Sequence, residues 1–283
     1  MTLSPLGDSA LVLTLGPTVD EPTLGRLQAL AAAIVARRPR GVMDVLPAFG
    51  SVTVFYEITK IVGFAELQTE LTEIAATVAT GSVTHSERVV EIPVCYGGEF
   101  GPDLAAVARR AGIPAEAVVA LHCDAEYRVQ AIGFVPGFAY LGGLPEKIHT
   151  PRRATPRLDV PAGAVGIGGA QTGVYPLATP GGWNLIGRTP WRMFDPDREE
   201  PTLLRAGDRV KFNAIAPDVF EKLATSAAVS APFAEPAANQ RHLIGDIGSR
   251  VKVVQRGMLT TVQDLGRRAH RAQGVPRGGA ADP

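Results

Sequence analysis

The sequence has little cysteine and no excess of either charge. Cys95 and Cys123 are its two cysteines, and lysine plus arginine balance aspartate plus glutamate at a formal net charge of +0. No basic stretch precedes an apolar one near the N-terminus, so no secretory signal is visible and both cysteines are expected to be thiols. Balanced charge argues against a nucleic-acid partner and against a polybasic membrane anchor. The sequence therefore predicts a cytoplasmic protein.

Charged residues and histidine are absent between Asp159 and Arg188. A membrane-spanning helix needs about 20 mostly apolar residues with unbroken backbone hydrogen bonds. This charge-free run holds too many glycines and prolines to form one. Its composition favours short strands joined by tight turns, with backbone N–H groups exposed at several points. Such a surface can bind a small polar ligand.

Common catalytic and metal-binding signatures are missing as well. The sequence has no Gly-x-x-x-x-Gly-Lys-[Ser/Thr] motif, so no P-loop is expected to bind a nucleotide. No serine lies between Glu87 and Thr225, which leaves the glycine-rich half without a serine nucleophile. The histidines show no metal-site spacing, and no protein-bound metal is predicted.

Residues 1–88 have the pattern of a small α+β domain. Apolar residues at helical spacing predict helices over Glu21–Arg37 and Phe64–Val78. Strands alternate with these helices, and Pro47 marks a predicted turn between the second and third strands. The resulting β-α-β-β-α-β order is that of a ferredoxin-like two-layer sandwich. The predicted strands are Ser9–Leu15, Gly41–Leu46, Ser51–Ile58 and Val89–Val94.

Residues 89–222 differ in composition from residues 1–88, because glycine and proline interrupt many short runs of strand-like sequence. Pro102 is placed to open a helix over Asp103–Ala111, and Pro114–Leu121 is a second helical candidate. Several short strands with regular turns favour a closed barrel or a sandwich. The predicted strands are Tyr127–Gly133, Leu158–Pro161, Val165–Gly168, Gly173–Pro176, Asn184–Thr189 and Asp208–Ala214.

The last two segments differ from both domains. Residues 223–248 are rich in alanine, serine and proline, which predicts a linker. Residues 249–283 open like a strand but are too few to form a core without metal or disulfides. We expect this last segment to fray or to pair with another chain, because the rest of its own domain is missing.

One candidate binding segment is the loop Gly133–Pro145, which combines aromatic residues with glycines and prolines. Phe134, Phe138 and Tyr140 could line an apolar wall beside exposed amides, and Pro136 and Gly137 are substrate-binding candidates in the same loop. The aromatic residues could equally plug one end of a barrel, since large apolar side chains are mostly buried.

A second candidate is the arginine-rich loop Pro151–Arg157. Guanidinium groups bind carboxylates and phosphates through paired hydrogen bonds, which fits an anionic substrate. Arg157, set between a proline and a predicted strand, is the favoured binding residue. Arg152 and Arg153 read equally well as solvated loop residues.

The charge-free run supplies further candidates. Gly168 and Gly169 leave the backbone open, and Gln171 and Thr172 are the side chains best able to orient a ligand amide. Trp183 could form a lid or a core anchor, and burial statistics favour the core.

His122 is a weak catalytic candidate. A histidine near a helix end could act as an acid–base group or serve as a hydrogen-bonded structural residue. The structural interpretation is favoured, and no other catalytic residue is indicated.

These motifs, taken in order, resemble the family of the 5-oxoprolinase B subunit, also called the Kip inhibitor or allophanate hydrolase subunit 1 family. The resemblance runs from about Leu6 to Phe212. The end of the chain resembles the start of the partner C subunit, also called allophanate hydrolase subunit 2, cut short. The motifs that carry it are Glu91–Leu104, Leu121–His122, GFVPGFAYLGG, PRRATPR, the charge-free run and Phe194–Pro196.

The resemblance implies an N-terminal α+β domain and a C-terminal cyclophilin-like β-barrel. It also implies ATP-dependent opening of 5-oxoproline to glutamate by an assembly of A, B and C subunits, in which this one is inactive alone. ATP would bring Mg²⁺ held largely by phosphate oxygens. The substrate carries one carboxylate and one amide, which Arg157 or Arg188 and Gln171 could bind.

Two other functions stay open within the resemblance. Relatives inhibit a sensor histidine kinase through the barrel domain, so an alternative is a binding module that grips a proline-bearing helix with the loop Gly133–Pro145. The other alternative is a carboxyltransferase-like part of a urea carboxylase or allophanate hydrolase system. Allophanate hydrolysis fits less well, because the serine that amidase chemistry needs is absent.

Overall fold

The computed structural model of the chain describes residues 1–16, 20–80 and 88–225. Its helices are α1 (Glu21–Arg37), α2 (Phe64–Thr80), α3 (Leu104–Ala111), α4 (Ala115–Asp124) and α5 (Pro217–Thr225), with a 3-10 helix at Glu146–Ile148. Its strands are β1 (Thr2–Pro5), β2 (Ala10–Thr14), β3 (Val42–Ala48), β4 (Ser51–Tyr56), β5 (Val89–Tyr96), β6 (Tyr127–Ile132), β7 (Ala139–Gly142), β8 (Arg157–Val160), β9 (Ala164–Gly168), β10 (Gln171–Val174), β11 (Thr179–Gly181), β12 (Asn184–Arg188) and β13 (Arg209–Ala214).

The N-terminal region packs α1 and α2 against a four-stranded antiparallel sheet. Helix α1 begins after Asp20, whose carboxylate accepts a hydrogen bond from the Thr23 amide, and it ends before Arg38 in the left-handed conformation. The apolar faces of the sheet and of both helices meet in one buried cluster, so this region has a core of its own. Its fully buried side chains include Leu11, Leu13, Ile34, Val52, Val54 and Leu71.

The predicted ferredoxin-like order is wrong for this sheet, whose strand order is β1-β2-β4-β3. Its outer strand β1 comes from an N-terminal hairpin that the sequence pattern does not indicate, because Thr2–Pro5 is short and ends in proline. The predicted closing strand, Val89–Val94, begins β5 and pairs within the barrel. Its alternating apolar side chains could serve either sheet, and pairing with β13 decides between them.

Pro47 lies inside β3, opposite Val52, and not at the predicted turn. Strand β3 is at the edge of the sheet, where the missing N–H of proline breaks no ladder hydrogen bond. The turn instead follows at Phe49, which adopts a positive φ of 52°.

Seven strands close into a barrel in the order β10-β7-β6-β13-β5-β12-β9, which confirms the closed-barrel prediction. Strands β5 and β13 run parallel, from Arg209 opposite Val89 to Ala214 opposite Val94. Apolar side chains inside the barrel join those of α3 and α4 in one buried cluster. Strands β8 and β11 form a separate two-stranded sheet.

Several other boundaries differ from the predictions. Strand β7 lies within the segment interpreted as a loop, and α5 crosses the predicted domain boundary at residue 222. The predicted linker beyond residue 225 and the segment 249–283 lie outside the described residues. Both cysteines are free thiols, as predicted. Within the described parts of the chain, no helix is both long and apolar enough to cross a membrane.

Candidate functional site

The outer face of β6, β7 and β10 presents two amide side chains and a tyrosine. Gln130, Tyr140 and Gln171 are half-buried on this face, because side chains alternate along a strand and their sequence neighbours point into the barrel. The Nε2 of Gln171 donates a hydrogen bond to Oε1 of Gln130 at 2.9 Å. Together with Trp183, we call these residues the outer wall.

Glycines of the charge-free run make room for Trp183. A Cβ on Gly168 would lie 2.6 Å from the indole Nε1, and a Cβ on Gly166 would lie 3.1 Å from the Trp183 Cβ. On β10, a Cβ on Gly173 would lie 3.2 Å from Trp183 Cζ3. The indole is 4% exposed, so the core interpretation of this tryptophan is confirmed. These glycines seat a buried ring and are not simply open turns.

Gly168→Ala is expected to lower the free energy of unfolding by about 1 to 3 kcal/mol, since the new methyl group must displace a rigid indole. Equilibrium denaturation followed by tryptophan fluorescence would measure the loss. Gly133→Ala is the matched control, because nothing lies within 4 Å of its added Cβ. Equal losses in the two variants would contradict the packing role of Gly168.

Gly169 forms the turn between β9 and β10 with a positive φ of 69°. Its amide donates to the Thr150 carbonyl at 2.7 Å, and its carbonyl accepts from the Thr150 amide at 3.2 Å. The N–H group at this position is therefore already hydrogen-bonded within the chain.

Aromatic rings extend the outer wall toward the loop Gly133–Pro145. The ring of Phe138 lies 5.4 Å from Trp183, 4.9 Å from Tyr140 and 5.6 Å from Phe134, between ring centres. Phe138 is buried, whereas Phe134 is 60% exposed. The structure thus brings both predicted phenylalanines to the edge of the outer wall.

The turn before Phe138 is formed by Pro136 and Gly137. Pro136 is half-buried, and Gly137 has a positive φ of 81°. A Cβ on Gly137 would lie 2.9 Å from the Phe194 Cβ, so this glycine allows a close approach between two loops.

Arg157, the favoured carboxylate-binding residue, is already paired within the chain. Its Nη1 and Nη2 donate to the two carboxylate oxygens of Asp103 at 2.8 and 2.9 Å. Arg153 Nη1 donates to the same carboxylate at 3.0 Å, and the Leu185 amide does so at 2.8 Å. Asp103 is 5% exposed. The guanidinium of Arg157 therefore links β8 to the start of α3. Its paired N–H donors are used within the chain and are not free to bind a ligand at the outer wall.

Arg188 lies far from Gln171 along β9. It pairs with Ala164, the first residue of that strand, whereas Gln171 pairs with Gly168, the last. At a rise of about 3.3 Å per residue, these two positions are roughly 13 Å apart. The Arg188 Nε also donates to the Ala162 carbonyl at 2.9 Å. The structure does not bring Arg188 and Gln171 together.

His122 is fully buried at the end of α4 and is hydrogen-bonded through both ring nitrogens. The Thr172 hydroxyl donates to the Gly166 carbonyl at 3.0 Å, so it must accept the hydrogen of His122 Nε2 at 2.9 Å. The other nitrogen, Nδ1, then accepts from the Tyr96 hydroxyl at 2.8 Å. Burial lowers the pKa of His122 to about 3, which keeps the ring neutral. His122 and Thr172 face the barrel interior and not the outer wall.

Gln130 was not among the predicted site residues, whereas Tyr140 was expected to line an apolar wall with Phe134 and Phe138. The alternation of polar and apolar residues in β6 was an available signal for Gln130. The two amides that meet, Gln130 and Gln171, are 41 residues apart. Only the pairing of β6, β7 and β10 places them on one face.

Among the described residues, neither a cluster of metal ligands nor a phosphate-binding loop with all its amides free is present. Over residues 1–16, 20–80 and 88–225, no group of three or more His, Cys, Asp or Glu side chains could hold a metal. The glycine-rich loop that precedes α3 most resembles a phosphate-binding loop. Its Gly101 amide, however, already donates a hydrogen bond to the Gly97 carbonyl at 2.9 Å. No residue of this chain is assigned to ATP or Mg²⁺.

Comparison with known proteins finds relatives over most of the chain. The family described as "Carboxyltransferase domain, subdomain C and D" matches residues 1–204. The 5-oxoprolinase B subunit of Bacillus subtilis (strain 168) is 45% identical over 220 residues, which are 75% of this chain and 91% of that protein. The protein of the same name from Escherichia coli O157:H7 is 49% identical over 210 residues, covering 73% of this chain and 93% of its own length.

Solved structures agree with these relatives. The crystal structure of TTHA0988 has a TM-score of 0.65 and 41% sequence identity, and the match covers 73% of this chain. This chain spans 40% of that longer protein. The urea amidolyase of K. lactis has a TM-score of 0.63 at 18% identity, over 78% of this chain and 15% of that protein. At that identity the likeness concerns the fold alone.

Proposed function

The chain belongs to the family of the 5-oxoprolinase B subunit, within the carboxyltransferase domain family of subdomains C and D, and we propose that it is one component of an ATP-dependent 5-oxoprolinase. The enzyme would open the lactam 5-oxoproline to glutamate in the cytoplasm, and this chain would be inactive alone. The observation that carries the proposal is the 45% identity to such a B subunit over 91% of its length.

The outer wall fits one side of a small lactam. A lactam offers a carbonyl acceptor and an N–H donor, and a glutamine amide offers the complement of each. Gln171 gives one N–H to Gln130 and keeps a second N–H and its own carbonyl oxygen for a ligand. Tyr140, which is half-buried and packs on the buried Trp183, supplies aromatic surface beside these amides for the lactam ring.

The partners in this proposal are the A and C subunits of a 5-oxoprolinase. The amides of the outer wall are half-buried, and in this proposal a partner subunit would cover their exposed side. ATP with Mg²⁺ would belong to the assembled enzyme. To this chain we assign the binding and orientation of the lactam.

Turnover with and without this chain tests the proposal. Glutamate formation and ATP hydrolysis would be measured with 5-oxoproline, intact A and C subunits, and the full chain. We expect turnover only when all three proteins are present. If turnover never depends on this chain, the enzyme proposal fails.

Gln171→Ala is expected to raise the KM for 5-oxoproline by about 10-fold, because one hydrogen bond in a desolvated site contributes on the order of 1 to 1.5 kcal/mol. Steady-state kinetics of the reconstituted enzyme would measure the change. Asn213→Ala, at an exposed position on β13, is the control and should leave KM unchanged. An unaltered KM in Gln171→Ala would remove Gln171 from the site.

A further inference from the structure

Arg152 is held opposite Trp183 by backbone anchors on both sides. The carbonyl that precedes Arg152 accepts a hydrogen bond from Nδ2 of Asn184 at 2.8 Å. The amide that follows it donates to the carbonyl of Gly182 at 2.7 Å. Because Gly182 and Asn184 flank Trp183 in the sequence, the two anchors align Arg152 with this tryptophan.

The side chain of Arg152 completes the outer wall. Its guanidinium carbon lies 5.9 Å from the centre of the Trp183 ring, within the range of a cation–π contact. The same indole lies against Gly168, which pairs directly with Gln171 across β9 and β10. The guanidinium and the Gln171 amide therefore border the same stretch of wall.

Positive charge near Arg152 is in excess. Arg153 and Arg157 share the single carboxylate of Asp103, which leaves one positive charge unbalanced. In the described part of the chain, no ion pair or side-chain hydrogen bond satisfies Arg152 itself, and its side chain is exposed. Its N–H donors are thus available to an anion at the outer wall.

We propose that Arg152 binds the carboxylate of the substrate and selects carboxylate-bearing lactams over neutral ones. The inference rests on the proposed function, because it assigns the residue that recognises one end of that substrate. Arginine presents paired donors that match a carboxylate, and the indole beneath restricts the orientation of the guanidinium plane. Gln171 would then meet the lactam amide at the other end.

The test compares a charged and a neutral lactam in the enzyme reconstituted with intact A and C subunits. For Arg152→Ala, we expect the KM for 5-oxoproline to rise about 10- to 100-fold, the range of a charge-assisted hydrogen bond. The inhibition constant of 2-pyrrolidinone, which lacks the carboxylate, should not change. Arg152→Lys should recover part of the loss, since lysine keeps the charge but not the paired donors.

Arg110→Ala is the matched control, because Arg110 is exposed on α3 and away from the outer wall. An unchanged KM in Arg152→Ala, or equal rises in KM and in the inhibition constant, would overturn the inference. Absence of inhibition by 2-pyrrolidinone, together with a raised KM in Arg152→Ala, agrees with a carboxylate contact. If the wild-type complex shows no turnover that depends on this chain, the proposed function itself fails.

Discussion

Asp103→Asn is expected to lower the free energy of unfolding by about 2 to 4 kcal/mol, because it removes the charge that two arginines share in a mostly buried place. The Asp103 carboxylate is 5% exposed and accepts hydrogen bonds from Arg153, Arg157 and the Leu185 amide. Asparagine keeps the shape but presents an NH₂ group to at least one guanidinium. Chemical denaturation followed by circular dichroism would measure the loss.

The control for Asp103→Asn is Asp218→Asn, which removes the same charge from an exposed pair with Lys222 on α5. Exposed ion pairs contribute little, so this variant should change stability by less than about 0.5 kcal/mol. If the two variants unfolded at the same denaturant concentration, the buried pairing would not be the anchor that we describe.

Asp103→Asn should also affect function. Arg153 and Arg157 belong to the loop that carries Arg152, so loss of their shared partner would loosen the position of Arg152 over Trp183. We expect folded Asp103→Asn enzyme to show a raised KM for 5-oxoproline, measured at a temperature where the variant is native. Asp218→Asn should keep the wild-type KM.

Acid is expected to weaken the fold through His122. Its pKa is about 3 in the folded protein and about 6.5 in an unfolded chain. Below pH 6.5 the His122 ring therefore binds a proton in the unfolded state but stays neutral in the folded state. The stability from this group is complete above pH 6.5 and is lost as the pH falls toward 3, with a slope of about 1.4 kcal/mol per pH unit. Between pH 7 and pH 4.5, we expect a loss of about 3 kcal/mol from this residue.

The contribution of His122 can be isolated by comparing variants. His122→Gln should be less stable than wild type at pH 7 but should lose about 3 kcal/mol less on going to pH 4.5. Burial raises the pKa of the neighbouring groups Tyr96, Cys123 and Tyr127, so they stay neutral over this range. Parallel pH profiles for wild type and His122→Gln would contradict the assignment.

Local sequence was sufficient to predict the bounds of a helix where the apolar periodicity and the capping residue agree. Helix α1 begins at Glu21 and ends at Arg37 as predicted, because Asp20 caps it and its leucines recur at helical spacing. Local sequence was insufficient for β5, whose alternation of Val90, Ile92 and Val94 suits either sheet. Its partner β13 lies far along the chain, so only barrel closure could assign it.

Local sequence was also insufficient to predict which arginines of the loop Pro151–Arg157 would be paired. Composition predicted that guanidinium groups would flank a charge-free wall, and the local sequence favoured Arg157 over Arg152 and Arg153 as the binding residue. The residue that separates them is Asp103, which lies 50 residues before Arg153 and reaches it through the packing of α3 beside β12. Residue spacing alone could not predict that two of the three arginines would pair with one buried carboxylate.

By itself, the sequence determined helices α1 to α4, most of the barrel strands and the chemistry available on the glycine-rich strands, since these depend on local periodicity, turn residues and composition. Tertiary structure alone decided which sheet β5 joins, which face Gln130 and Gln171 share, and which arginine stays unpaired at Trp183. The physical reason is that strand register and barrel closure bring together side chains from distant segments, and no local pattern encodes such pairings.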